Sequence, residues 1–396
     1  MRANEFSMAV LEDNQVEIKE GATKLYVPKS SLGVKVPPRV PVFFNIFAEL
    51  NRNISMGVYR VFAAEKENRV TFADCFAATG VRGIRAAVEV PKLEKVHLND
   101  VNPVAIDLAK RNASLNSVSE KCEFSSKDIC FFLAEQVSLR NRFSIIDLDP
   151  YGSPAAYVDC ALRSLKDDGL LSVTATDTAV LCGVYPKVAY RKYYCHTLRT
   201  EYCHEMGVRM ILGAIAHNAQ RLELGIFPMF SHVNRHYFRV YTVISASSEC
   251  IEKTYTSINF IKHCTICNYR DIGDMNEIKC KNCGIPLKNI GPLWVGNIHE
   301  KKFLINLIED FKRSSFKTGL KISTMALEEA DMPPAYYNVD NISSKLNVAT
   351  PSISLIIASL RDSGYLASRT AFNFKGIKTN APISIITEIV RQLNPT

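Results

Sequence analysis

Arg142-Phe143-Ser144-Ile145-Ile146-Asp147-Leu148-Asp149-Pro150-Tyr151-Gly152-Ser153-Pro154 decides how this 396-residue chain is read. Phe143 to Ile146 is a short apolar run of the kind that forms a buried strand. An acid, a proline and an aromatic then follow, and turn-forming residues end the run. Open α/β sheets bind ligands just outside the carboxyl ends of their strands. Asp149 and Tyr151 therefore stand where a ligand would meet the sheet. The plainer alternative is an acidic turn that only caps a strand.

Working outward, strands and helices alternate. Val70–Asp74, Lys95–Leu98, Cys122–Ser125, Phe143–Asp147, Gly169–Thr174 and Tyr237–Ile244 read as strands, and Val104–Asn116 as a helix. Gly80 and Gly83 fall in the loop and first helical turn after the first of these strands. Alternation of this kind predicts a doubly wound, Rossmann-like α/β sheet with mainly parallel strands. Upstream, Val16–Val27 alternates around Glu20-Gly21 and reads as a hairpin or lid. Pro37–Pro41 reads as an extended linker, and Val42–Arg52 as a helix rich in aromatics. The small polar run Ser245–Ser248 marks a boundary. The expected domains are thus 1–41 (hairpin and linker), 42–248 (catalytic) and 249–396 (C-terminal).

Composition permits a large enzyme and excludes a disordered chain: 47% of residues are hydrophobic and 22% charged. The net charge of +8 favours an anionic partner, nucleic acid before membrane. The N-terminus is not a signal peptide, and no apolar stretch is long enough to span a bilayer. Of twelve cysteines, eight are scattered and read as reduced core residues, which fits a cytoplasmic location.

The acid–proline–aromatic device suits methylation of an exocyclic amine on a nucleobase. Such an amine is a poor nucleophile, because its lone pair is delocalised into the ring. Asp149 can accept its hydrogens as positive charge develops, and Tyr151 can stack the base. Three acids at successive strand ends, Asp74, Asp100 and Asp128, have the spacing of a nucleotide-cofactor site. Asp100 is placed to bind ribose hydroxyls and Asp128 an adenine amine. The loop Asp74–Gly83 lacks a close GxGxxG, so it is not built for a pyrophosphate. S-adenosylmethionine has no phosphate but has a carboxylate, which Arg82 or Arg52 can pair.

Cys264-Thr265-Ile266-Cys267 and Cys280-Lys281-Asn282-Cys283 are two CxxC knuckles. Four thiolates at this spacing predict a closed, structural Zn2+ site. Lys279, Lys281 and Arg270 nearby are candidate contacts to RNA phosphate, or simply a solvated face. Asn341–Ser384, within residues 300–396, reads as a winged-helix-like region. Thr350-Pro351 would cap its second helix, and Lys375 and Lys378 would form a basic wing. Five histidines (His196, His204, His217, His232 and His236) match no ligand spacing.

Several of these strings together resemble the tRNA (guanine-26-N2) dimethyltransferases, especially the archaeal branch. They are Val42-Phe43-Phe44-Asn45 with Asn51-Arg52; Ala78 to Arg85; Leu98-Asn99-Asp100; Asp147 to Pro154; Thr176 to Pro186; Arg199 to Glu205; and the cysteine pairs. The resemblance covers nearly all of the chain after about residue 15. It implies a class I methyltransferase domain followed by a tRNA-binding domain, with S-adenosylmethionine contacts at Arg52, Arg82, Asp100, Asp128 and Ile129. It implies Asp149 at the guanine amine, with Phe43 beside the target base. A DNA-binding regulator with a degenerate cofactor domain, or an adenine-N6 methyltransferase, are the competing readings.

Overall fold

The computed structural model describes residues 14–33, 42–234, 236–276 and 278–394. The expected linker at 37–41 lies outside the described residues. The chain forms two compact units. The first comprises residues 1–150, 157–173 and 309–319, and the second 151–156, 174–308 and 320–396.

The first unit opens with the expected hairpin, β1 (Gln15–Glu20) and β2 (Thr23–Pro28), in unbroken antiparallel register. It is fastened down rather than left as a free flap. Asn112 accepts the Tyr26 N–H at 2.7 Å and returns a bond to the Tyr26 carbonyl at 3.1 Å. The helix expected over Val42–Arg52 begins later. A 3-10 turn (Ile46–Ala48), capped by the Asn45 side chain, leads into α1 (Glu49–Ala64). An Asx cap of this kind satisfies an amide that would otherwise have no partner at the helix start.

From there the strands and helices alternate as expected: β3 (Val70–Asp74), α2 (Val81–Glu89), β4 (Leu93–Asn99), α3 (Pro103–Leu115), β5 (Cys122–Ser125), α4 (Ile129–Ser138), β6 (Phe143–Leu148), α5 (Val158–Ser164) and β7 (Leu165–Ala175). The strands pair in parallel in the order β5-β4-β3-β6-β7. Every residue of β6 is buried, as a strand covered on both faces requires. The order reverses between β3 and β6. The carboxyl ends of the strands at such a reversal are where ligands of these sheets bind. Gly80 turns the chain into α2 at φ +78°; a Cβ there would meet Ile84 Cδ1 at 2.7 Å and Ala109 Cβ at 2.8 Å. Cys130 and Cys160, both expected as free thiols, are joined as a disulfide between α4 and α5. The packing of those two helices brings together residues 30 apart in sequence, which spacing alone does not reveal.

The second unit contains α6 (Thr178–Leu181), α7 (Pro186–Tyr193), α8 (Cys203–Gln220), and the antiparallel pair β8 (Gly225–Asn234) and β9 (Tyr237–Ser245). Sequence reading misses β8 because Pro228 interrupts it. The pairing absorbs the proline by a register shift between Pro228 and Phe230. The Ser245–Ser248 run leads into α9 (Ser248–Thr256), with Ser247 capping it through Cys250 N–H. A three-stranded sheet follows, β10 (Ile258–His263), β11 (Arg270–Gly273) and β12 (Lys288–Trp294), in the order β11-β10-β12. After α10 (Lys301–Arg313) and α11 (Lys317–Glu328) come β13 (Tyr337–Asn338), α12 (Val339–Leu346), α13 (Ile353–Asp362), β14 (Ala367–Thr370), β15 (Asn373–Thr379) and α14 (Ile383–Gln392), the strands paired β13-β15-β14.

Three local expectations are corrected by the fold. Ser352, not Thr350, is the N-cap of α13, so Pro351 precedes the cap. The helix does bury Ile353, Ile357 and Leu360 on one face. It ends at Gly364 (φ +83°), where Tyr365 N–H bonds the Leu360 carbonyl and Gly364 N–H the Arg361 carbonyl. Lys378 is not a wing cation. It is 1% exposed and paired with Glu205 at 2.8 Å and Glu329 at 3.4 Å, because the strand's inward face carries it into the core. Arg270 is likewise no phosphate contact. It is ion-paired with Glu201 and held over the rings of Tyr202 and Tyr337, 4.3 and 4.1 Å from their centroids. Among the described residues no helix is long and apolar enough to cross a membrane.

Candidate active site

Parallel pairing of β3 with β6 sets Asp74 beside Asp147. Both are buried, at 1% and 0% exposure. Burial and a like-charged neighbour each favour the protonated acid. The Asp74 carboxyl is pushed up to about 7, by burial first and Asp147 next, against the opposing pull of Arg82. The same carboxylate accepts the Gly83 N–H at 2.9 Å, tying β3 to the first turn of α2.

Arg82, in that turn, organises the cluster. Its Nε lies 3.3 Å from Asp147 Oδ1, and its Nη2 pairs with Asp149. Ser55 accepts from it at 2.9 Å and Asn51 at 3.2 Å, both on α1. Tyr59 of α1 donates to Asp147, and Ser172 of β7 donates to the same oxygen at 3.1 Å. Asp147 is thus a buried brace. Asp149, two residues on, keeps 30% of its side chain exposed. Sequence reading picks out Asp149 and Arg82 but assigns nothing to Asp147, Tyr59, Asn51 or Ser55. The signal for Asp147 is present in the chain: an ionisable residue inside a buried strand needs partners.

Arg52 and Arg82 are the expected partners for the carboxylate of a methyl donor. In the fold each guanidinium already faces carboxylates of the chain. Arg52 is 4% exposed and bonds both oxygens of Glu20, at 2.6 and 2.5 Å, and the Asn45 carbonyl at 3.0 Å. Glu20 also pairs with Arg85 at 2.7 Å. Burial pushes the Glu20 acidity one way, and the two arginines more than offset it, holding its pKa below the usual range.

The other residues expected to meet the methyl donor follow the carboxyl ends of β4 and β5. Asp100 is half-buried, and it accepts Ala78 N–H and Asn102 N–H at 2.9 Å each, bracing the glycine loop. A carboxylate has about four acceptor positions, so capacity remains for hydroxyl donors. In the same loop the Thr79 hydroxyl is buried with no hydrogen-bond partner among the described residues. Asp128 is exposed and caps α4 through Cys130 and Phe131 N–H, and Ile129 beside it is buried. Phe43 is half-buried. Tyr151, in the second unit, is 84% exposed.

The four knuckle cysteines converge as expected. Cys264–Cys267 joins β10 to β11, and Cys280–Cys283 lies between β11 and β12. Their sulfurs all lie within 4.8 Å of one another, with Cys264–Cys283 and Cys267–Cys280 each at 3.5 Å. Zinc–sulfur bonds of about 2.3 Å in a tetrahedron require sulfurs about 3.8 Å apart, so the donor set and spacing suit that ion. A second group also converges that spacing did not reveal. Cys182, Cys203 and His204 bring their ligand atoms within 4.8 Å of one another.

A profile of the family described as "N2,N2-dimethylguanosine tRNA methyltransferase" matches residues 21–391. The "tRNA (guanine(26)-N(2))-dimethyltransferase" of Methanothermobacter thermautotrophicus is 36% identical over 386 residues, covering 96% of this chain and all of that protein. The enzyme of the same name from Pyrococcus horikoshii is 33% identical, with 96% and 98% coverage. Among solved structures, the complex of Trm1 from Pyrococcus horikoshii with S-adenosyl-L-methionine superposes with a TM-score of 0.83 at 32% identity, covering 95% of this chain and 99% of that one.

Proposed function

The chain belongs to the N2,N2-dimethylguanosine tRNA methyltransferase family, and on that premise we propose how its own residues carry the activity. It is an S-adenosylmethionine-dependent tRNA (guanine-N2) dimethyltransferase, acting at guanine 26 and giving N2-methyl- and N2,N2-dimethylguanosine. Bound S-adenosylmethionine supplies the methyl group. Asp100, Asp128 and Ile129 are the proposed residues for its nucleoside end, and the buried Thr79 hydroxyl, next to the Ala78 amide that Asp100 accepts and without a partner among the described residues, supports a polar ligand near Asp100. Arg52 is proposed to meet its carboxylate, in competition with Glu20. Arg82 is expected there as well, but its bond to Asp149 supports a different first duty.

That bond is the observation on which the mechanism rests. Asp149 accepts the hydrogens of the guanine amine as the nitrogen gains positive charge. Arg82 fixes the carboxylate beforehand, so little reorganisation is needed in the transition state. A carboxylate held by a guanidinium is a weak base but a good acceptor. Asp149 therefore accepts a hydrogen bond during transfer, and the acidic methylated amine gives up its proton late, through the solvent-exposed edge of Asp149 to water. Phe43 is the proposed aromatic face for the flipped guanine. Mass spectrometry of nucleosides from tRNA incubated with enzyme and methyl donor tests the reading. Dimethylguanosine at position 26 is expected; N6-methyladenosine in its place overturns it.

We further propose that Cys264, Cys267, Cys280 and Cys283 hold one structural zinc. Four protein thiolates leave no open position, so the ion contributes folding energy and no chemistry. Replacing Cys264 and Cys267 by serine should release zinc and loosen the β10–β12 sheet while methyl-donor affinity stays the same. Residues 249–396, with a winged-helix-like end, are proposed to hold tRNA, and the cytoplasm is the proposed location.

A further inference from the structure

We propose that a cleft in the second unit, between α7 and the start of β12, binds an unpaired nucleotide of the tRNA together with its flanking phosphates. This rests on the tRNA-methylating function above. The cleft encloses about 540 Å³ and is lined by Lys187, Tyr190, Arg191, His196, Lys288 and Asn289 among others. That volume lies in the range of small-ligand sites.

The spacing on α7 is the first support. Lys187, Tyr190 and Arg191 recur at i, i+3 and i+4, so they form one stripe on one face of the helix. The other face is the anchor, with Ala189 and Tyr193 buried. The outward stripe is not the usual mixture of both charges. It combines two cations with an aromatic, Tyr190, which is 48% exposed. Tyr190 already stacks on His196, ring centroids 4.5 Å apart and planes at 29°. Two stacked rings with solvent beside them are a ready platform for a third flat ring.

Charge is the second support. Lys187, Arg191 and Lys288 are exposed, and among the described residues none of them is in an ion pair; no acidic side chain lines the cleft. The adjacent Lys192 shows the alternative, since it pairs with Asp177 at 3.2 Å. Three unneutralised cations around an aromatic platform match a polyanion with flat bases. Bases in an A-form duplex have their faces covered by neighbours, so only an unstacked nucleotide can use the Tyr190 ring. Lys288 stands just after the second cysteine knuckle, so the proposed zinc module would hold one wall of the cleft in place.

The test uses the full zinc-loaded protein and an unmodified tRNA transcript, with binding measured at several salt concentrations and methylation in steady state. Tyr190→Ala should weaken tRNA binding about tenfold and raise the KM for tRNA by a similar factor. kcat, methyl-donor affinity and melting temperature should stay as in the wild type, and Tyr190→Phe should restore binding. The triple variant Lys187→Ala, Arg191→Ala, Lys288→Ala should reduce the steepness of the log Kd against log salt plot by about 2, at roughly 0.7 to 0.9 per lost phosphate contact. If wild-type protein binds and methylates tRNA while these variants match it in KM and salt slope, the cleft assignment is wrong and the function stands. If wild-type protein neither binds nor methylates tRNA, the function itself has failed and the cleft with it. Tight binding of polyglutamate but not of tRNA at the cleft would also overturn the proposal.

Discussion

In the first unit Arg82 lies between Asp147 and Asp149, and Asp149 keeps 30% of its side chain in solvent. In the second, Arg209 and Lys378 close around Glu205, with Glu329 alongside, and no member is more than 2% exposed. The ingredients are the same, buried cations against carboxylates. What differs is one open edge. A sealed network cannot meet a substrate, so its charges serve only to join α8 to β15 and the end of α11. An open network can present one fixed carboxylate to an incoming amine. Burial and ion pairing therefore do not by themselves mark an active site; an exposed member of a preorganised cluster is what makes one a candidate.

The two networks should differ most at Asp149. Asp149→Ala should slow single-turnover methyl transfer by about 10² to 10³-fold, the usual effect of losing one transition-state acceptor or donor. Methyl-donor affinity, measured by calorimetry, should stay within about threefold. Near-normal turnover would reduce Asp149 to a strand cap. The matching cut in the sealed network is Lys378→Met, which leaves Glu205 and Glu329 with less compensation. It should cost about 3 kcal/mol in urea unfolding, as for other buried pairs broken on one side. Catalysis by the protein that remains folded should be normal, and a specific loss of kcat would blur the distinction between the two networks.

Asp100→Ala should weaken methyl-donor binding about tenfold, since it removes charged hydrogen bonds. kcat at saturating donor should change little, and unchanged donor affinity would leave Asp100 as a brace for the loop alone. The smallest expected effect is a contrast in pH dependence. Asp74 has its pKa raised to about 7 in the fold, from an ordinary 3.8. Its contribution to stability is complete below its unfolded pKa and is lost as pH rises through about 7. Glu205 is the reverse. Burial opposes its ionisation, but Lys378 and Arg209 bring its pKa down to about 2 from 4.5, so its contribution is present above 4.5 and lost as pH falls through about 2. Urea midpoints across pH should show Asp74→Asn flattening the neutral side of the profile and Glu205→Gln the acid side. Identical profiles for both would mean that the two clusters are not electrostatically distinct.

Much of the fold is readable from the chain, for identifiable reasons. Strands β3, β4 and β6 announce themselves because parallel strands in the interior of a sheet are short, apolar and bounded by turns. Asp149 is readable because it sits in a compact local signature, and the four cysteines because two CxxC pairs are themselves a fixed, short-range spacing. β8 is not, because Pro228 is disfavoured in a strand and only the partner strand's register shift makes room for it. Nor is Lys378, since a lysine on a wing and a lysine between two buried glutamates look the same in one dimension.

From its sequence alone, then, this chain yields the alternation of elements, the acid at the end of β6 and the soft ligand set, all of which depend on neighbours within a few residues or on repeated spacing. Tertiary structure decides what each charge faces. Arg52 meets Glu20, Arg82 meets Asp149, and Lys187 meets no acid in the described residues, because those pairings join positions tens of residues apart whose encounter depends on how the elements pack.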